Sequence, residues 1–175
     1  RRHSRWAEFL HQFLQLMAAA GGFSYALFCS LRQDKKSYAV EGENEPLALK
    51  ARNAAEGFSV SGGLIGWVFR DGTPFFSGVS GGFPDTSLFG KGLSTPHFQT
   101  IMVLPLIIQG SPWGVLCLAD EAPLSLAEET RAFAGMAAEH LALFLENLFI
   151  KCRLRDAYQS MMPGDGFDPA GGLPE

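Results

Sequence analysis

The sequence predicts an α+β domain in which one antiparallel sheet lies between two covering layers. Three observations point there. Helical periodicity marks both ends of the chain, the stretch QTIMVLPLIIQGSPWGVLCLADE (99–121) reads as an apolar hairpin joined by a Gly-Ser-Pro turn, and a Gly/Pro-punctuated loop, 79–98, precedes it. The hairpin hardly alternates between apolar and polar positions, as a sheet with one wet face would. Both of its faces are therefore expected to be covered, one by helices and the other by more core or by a ligand.

Trp6, Phe9, Leu10, Phe13, Leu14 and Met17 recur at the three-and-four spacing of one helical face, and Gly21-Gly22 supplies a C-cap. Residues 23–31 then read as a strand that stops at the polar turn 32–36, and 37–42 as a second strand. Leu47, Leu49 and Ala51 alternate with Ala48, Lys50 and Arg52, which suits a half-exposed strand, with a helical turn as the competing reading. In GGLIGWVFRDGTPFFSG (62–78) a short helix over 64–70 ends at Asp71-Gly72, and a strand follows at 74–77.

Loops of about 20 residues are uncommon inside compact domains and tend to be lids or binding loops. The loop 79–98 carries Phe83, Leu88, Phe89 and Phe98, too much apolar surface to lie wholly in water, so it is expected to fold back over the domain. After the hairpin, Ser125 with Glu128 three residues on is a capping-box signature, and Glu129 adds negative charge at the positive end of the helix dipole. This helix is expected to run to about Met162, where Pro163-Gly164 stops it, and so to exceed the roughly 30 Å width of a small domain. Its apolar stripe (Phe133, Met136, Ala137, Leu141, Phe144, Leu145, Leu148) is widened by Leu143, Phe149 and Ile150, beyond what covering one sheet face requires. A homodimer through this helix is the expected reason; the alternative is that the first helix takes up the excess. Residues 1–162 are then a single domain, followed by a Pro/Gly-rich tail at 163–175.

At 175 residues the chain can bury a core without disulfides or a structural metal. Lys+Arg number 14 against Asp+Glu 18, a formal net charge of −4, so no global field draws it onto nucleic acid or an anionic membrane. No unbroken apolar run reaches the roughly 18 residues of a membrane span, and no signal peptide is visible. Cys29, Cys117 and Cys152 are odd in number and far apart, which supports neither a disulfide framework nor a zinc site; a reducing, cytoplasmic setting is expected. The chain opens at Arg1 and not at Met, as an excised piece of a longer protein would, and any effector domain would then lie outside it.

Cys117, mid-strand between Leu116 and Leu118, and Cys29 read as buried, inert thiols, whereas Cys152 lies on the last helix. His3, His11, His97 and His140 lack ligand spacing, and the Gly-Gly pairs lack the strand-to-helix pattern that cradles phosphate. No catalytic residue, metal or cofactor is expected, and hence no enzyme.

The segments GLIGWVFRDGTPFFS and IMVLPLIIQGSPWGVLCLADE, the second followed by its helix, resemble the GAF domain, a small sensory module of signalling proteins; the likeness covers most of 6–147. The resemblance implies an antiparallel sheet of about six strands with the N- and C-terminal helices on one face. On the other it implies a pocket made by the sheet, the short helix and the long loop, together with dimerisation through the terminal helices. Departures narrow the ligand. Gly78 follows Ser77 where many members place an Asp, the Asn-Lys…Phe…Asp-Glu pattern of cyclic-nucleotide binders cannot be placed, and 79–98 lacks the Cys of bilin-attaching and sulfoxide-reducing members. A small, largely apolar molecule is therefore expected, enclosed by Trp67, Phe75, Phe83, Phe89, Phe98 and Met102 and oriented by Ser77, Asp85, His97 and Thr100. The alternative is a ligand-free dimerisation module whose rings fill the pocket themselves.

Overall fold

The structure, a computed structural model, describes residues 2–44, 57–78, 87–90 and 93–161. The half-exposed strand expected at 47–51, the site candidates Phe83 and Asp85, and the tail lie outside the described residues. The chain forms two compact units, Arg1–Ala142 and Leu143–Glu175, and the first holds the sheet.

Helix α1 (Arg2–Gly21) buries Leu10, Leu14, Met17 and Ala18 along one side. Trp6, Phe9 and Phe13 stack along the neighbouring side at centroid separations of 5.9 and 6.1 Å. Gly22, at φ 75°, ends the helix: its N–H donates to the Ala19 carbonyl and the Phe23 N–H to that of Ala18, a Schellman closure in which glycine bears the left-handed turn without strain.

Strands β1 (Tyr25–Leu31) and β2 (Ser37–Glu43) form a hairpin with β3 (Phe58–Ser59) at its edge. Helix α2 (Gly63–Asp71) follows, ended by the Gly72 N–H donating to Val68, then β4 (Phe75–Phe76), β5 (Thr100–Ile108), β6 (Ser111–Asp120) and α3 (Glu128–Met161). Among the described residues the strands make one antiparallel sheet in the order β3-β2-β1-β6-β5-β4.

The β5–β6 turn is not the expected Gly-Ser-Pro but Gln109-Gly110, both at positive φ (53° and 80°), the backbone twist that suits a two-residue hairpin. Ser111 and Pro112 already belong to β6. Pro105 sits mid-strand in β5, where β4 pairs only Met102 and Val103, so its missing N–H breaks no ladder bond on that side.

Alternation along β1, β5 and β6 separates the two faces of the sheet. Leu27, Cys29, Ile101, Val103, Val115, Cys117 and Ala119 face α2, forming one core with Leu64, Ile65, Val68 and Phe69. The alternate residues form the other face: Ala26 pairs with Leu118 and Leu118 with Met102, while Phe28 pairs with Leu116 and Leu116 with Leu104. Terminal helices cover this second face. A Cβ on Gly42 of β2 would stand 2.5 Å from a methyl of Leu10, so α1 packs where β2 carries no side chain. The Arg131 guanidinium of α3 lies 5.8 Å from the ring of Phe76, which pairs with Met102.

Helix α3 begins at Glu128, with the Arg131 N–H donating to the Ala127 carbonyl, so Ser125 lies ahead of the helix and is not its N-cap. Glu128 and Glu129 occupy the first turn, where the helix dipole favours negative charge. Within the first unit α3 buries Ala134, Ala138, Leu141 and Ala142. In the second unit its residues 151–161 are exposed, including Leu154 and Tyr158. Among the described residues α3 is also the one helix long and apolar enough to cross a membrane by length and composition, with a mean hydropathy of 1.3 in its most apolar window. Counting only unbroken apolar runs in the sequence overlooks it, because isolated glutamates interrupt the stretch without making it polar on average.

Candidate functional site

The face of the sheet turned toward α2 carries a cluster of aromatic residues. Tyr38, on β2, packs against Phe58 of β3 at a centroid distance of 5.6 Å and against Phe69 of α2 at 5.2 Å. Phe89, from the segment 87–90, completes the group at 4.5 Å from Phe58 and 6.4 Å from Tyr38.

That segment is fixed to α2 by the backbone. The Leu64 and Ile65 N–H groups, which a helix start leaves without intrahelical partners, donate to the carbonyls of Ser87 (2.8 Å) and Leu88 (3.1 Å). Two peptide chains can approach this closely because Gly63 has no side chain: a Cβ there would collide with the Leu88 carbonyl oxygen, and its φ of 75° disfavours any L-residue. The segment 87–90 therefore closes over the α2 face through Leu88 and Phe89, both buried.

The expected site residues divide between the faces. Phe75 is buried in the α2-side core, Trp67 and Phe98 pack against it half-buried, and Phe98 meets Tyr25 edge-on at 4.9 Å. Ser77 lies at the rim, its hydroxyl accepting the Ile101 N–H at 2.9 Å and its own N–H donating to the Ile101 carbonyl. His97 is exposed.

Met102 and Thr100 lie on the opposite face, with the terminal helices, because the register that sets Phe75 beside Val103 leaves even-numbered β5 residues pointing away from α2. Thr100 is already engaged there, donating to the Ala122 carbonyl and accepting from the Leu124 N–H, each at 2.7 Å. The buried Asp120, paired with Thr100, accepts from the Ser24 N–H and hydroxyl (2.9 Å each) and from the Ala122 N–H (2.8 Å). Desolvation pushes its carboxyl up, but these hydrogen bonds outweigh that and hold it below the usual carboxylate range. These two residues fasten the chain after the hairpin.

Tyr38 was not among the expected site residues. Its side chain is fully buried, and its hydroxyl has no hydrogen-bond partner among the described residues. The available signal was the spacing of Tyr38 and Val40 in SYAVEGE, which marks an inward-facing tyrosine. Two thiols share its face: Cys29 lies diagonal to Tyr38 across β1–β2, and Cys117 diagonal to Cys29 across β1–β6. Burial pushes the Tyr38 phenol far above its ordinary range, Cys29 well above its own, and Cys117 up to about 12, so all three stay protonated and neutral.

The match to known proteins agrees with this layout. The family model of the GAF domain matches residues 5–145. Similar solved structures include the GAF domain of a phosphoenolpyruvate-protein phosphotransferase from Coxiella burnetii, with 18% identity, a TM-score of 0.67, and 82% of this chain and 84% of that one covered. The corresponding domain from Acinetobacter gives 13%, 0.65, and 82% and 84%. A free methionine-R-sulfoxide reductase from Neisseria meningitidis, in complex with its substrate, gives 20%, 0.60, and 86% and 81%. The search of curated proteins gives no match. With the sheet order, the helix-covered face and the family match in agreement, the chain belongs to the GAF domain family.

Proposed function

We propose that this chain is a ligand-sensing regulatory domain that takes a small, largely apolar molecule against the α2 face of its sheet and works as a homodimer in the cytoplasm. The observation that carries the reading is the α2 face itself, an apolar surface roofed by the 87–90 segment and holding a buried hydroxyl without a partner among the described residues. Family membership supports a sensory or regulatory role, and some neighbours by fold are enzymes, such as the methionine-R-sulfoxide reductases. Binding is favoured over catalysis here because Cys29 and Cys117 are buried and held as thiols, the form that does not attack. Exposed apolar residues support self-association, with Leu16 on α1, Phe133 and Met136 on the first part of α3, and Leu143, Leu148 and Leu154 in the second unit. An effector domain or partner protein would receive the signal.

Native mass spectrometry of the purified protein, followed by thermal-shift screening of uncharged aromatic metabolites, tests the sensing role: a co-purifying small molecule or a reproducible stabilisation supports it. Truncation after Asn147 tests the homodimer, with the expected result a monomer in sedimentation. A second reading is a ligand-free assembly module. It is favoured by the closeness of the Phe89 ring to Phe58 and Tyr38, which fills space a ligand would use, and a screen without hits in which the dimer persists would select it.

A further inference from the structure

The Tyr38 hydroxyl is a costly group to leave where it is. A buried donor without a partner destabilises a fold, and a phenylalanine would make the same ring contacts with Phe58, Phe69 and Phe89 without that penalty. Among the described residues, the rest of this face supplies no partner for it. The other buried polar or charged side chains among the described residues, Thr100 and Asp120, lie on the opposite face and are engaged there. Tyr38 and its diagonal neighbours Cys29 and Cys117 thus form a line across β2, β1 and β6 that is polar but carries no charge.

We propose that the Tyr38 hydroxyl is the specificity-determining group of the α2 face, donating a hydrogen bond to a neutral acceptor, such as a carbonyl or ring nitrogen, on a flat uncharged ligand. This rests on the reading of that face as a ligand site. A flat ring suits the site because its immediate neighbours are themselves rings in tilted contact, with Phe58 and Phe89 at 4.5 Å. An ionised ligand is disfavoured because, among the described residues, no charged side chain is buried on this face to replace its lost hydration. An acceptor is required because the group lacking a partner is an O–H that remains protonated throughout the working pH range.

Calorimetric titration with three probes of similar shape tests this: acetophenone, which is flat, neutral and carries one acceptor; ethylbenzene, which lacks the acceptor; and benzoate, which is charged. The wild-type protein is expected to bind acetophenone about tenfold more tightly than ethylbenzene, the worth of one buried neutral hydrogen bond, and to bind benzoate weakest of the three. In Tyr38→Phe the acetophenone preference should fall to near one, while the melting temperature of the unliganded variant is unchanged or raised, which shows that it folds. Equal wild-type affinities for acetophenone and ethylbenzene, persistence of the preference in Tyr38→Phe, or benzoate binding as tightly as acetophenone would overturn the assignment while leaving the face a ligand site. Failure of both neutral probes to bind would overturn the ligand-site reading, and this assignment with it.

Discussion

The ring of Phe89 lies 4.5 Å from that of Phe58, joining the segment 87–90 to the edge strand of the sheet. Phe89 is 4% exposed, so Phe89→Ala removes a buried aromatic and leaves a cavity beside Tyr38. The expected loss is about 3 kcal/mol, at the lower end for a buried Phe because the loop can partly collapse. A urea unfolding curve reads it as a lower midpoint with an unchanged slope. A loss below about 0.5 kcal/mol would mean that this ring does not close the face.

Gly63 and Gly72 share the same left-handed backbone, at φ 75° and 74°, but of the two only Gly63 has another backbone segment, Leu88 to Gly90, against it. Gly72→Ala meets open space and should cost about 1 kcal/mol from its dihedral angle alone. Gly63→Ala must also push the Leu88 carbonyl aside and loosen the hydrogen bonds from Leu64 and Ile65. Thermal unfolding should therefore show at least twice the destabilisation for Gly63→Ala, together with faster amide exchange at Leu64 and Ile65.

Asp120 predicts a pH dependence. Its carboxyl titrates below the ordinary carboxylate value in the folded state, so its stabilisation is fully present above that value and is lost as pH falls through the folded one. Asp120→Asn should destabilise the protein by about 1–2 kcal/mol at pH 7, since the Ser24 and Ala122 donors lose a charged acceptor. The gap between variant and wild type should narrow below pH 4. Guanidinium unfolding at pH 7 and pH 3 checks both the loss and its direction.

The three cysteines should separate by reactivity. Cys29 and Cys117 are fully buried and held as thiols, whereas Cys152 is exposed. A chromogenic disulfide reagent should titrate one thiol per native chain and three in denaturant. Rapid reaction of a second thiol in the native protein would show that the α2 face opens to solvent.

The elements with a strong period were legible in the sequence, and the faces of the sheet were not. Leu10, Leu14 and Met17 announce α1, Leu64 to Phe69 announce α2, and the hairpin stands out because both its strands are apolar. That same continuity hides which side each residue takes. Met102 and Val103 are equally apolar, and only the pairing of Phe75 with Val103 decides that Met102 turns to the terminal helices. In β2 the spacing of Tyr38, Val40 and Gly42 suggests one face, yet the register shift between Phe28 and Cys29 leaves Glu41 as an extra residue and turns Gly42 toward α1. Thr100 reads as a ligand anchor until the chain after β6 is seen to return to its hydroxyl. A lone polar group such as the Tyr38 hydroxyl can be recognised only when its surroundings are known.

Everything proposed for ligand binding rests on small molecules entering on the α2 side of the sheet. Intermolecular nuclear Overhauser contacts between acetophenone and the methyl groups of the protein test it most directly. Contacts are expected to Leu64, Ile65, Val68 and Val103, and none to Leu104, Leu116 or Leu118 on the opposite face. Contacts confined to Leu104, Leu116 and Leu118, or none to any methyl at saturating acetophenone, would contradict it.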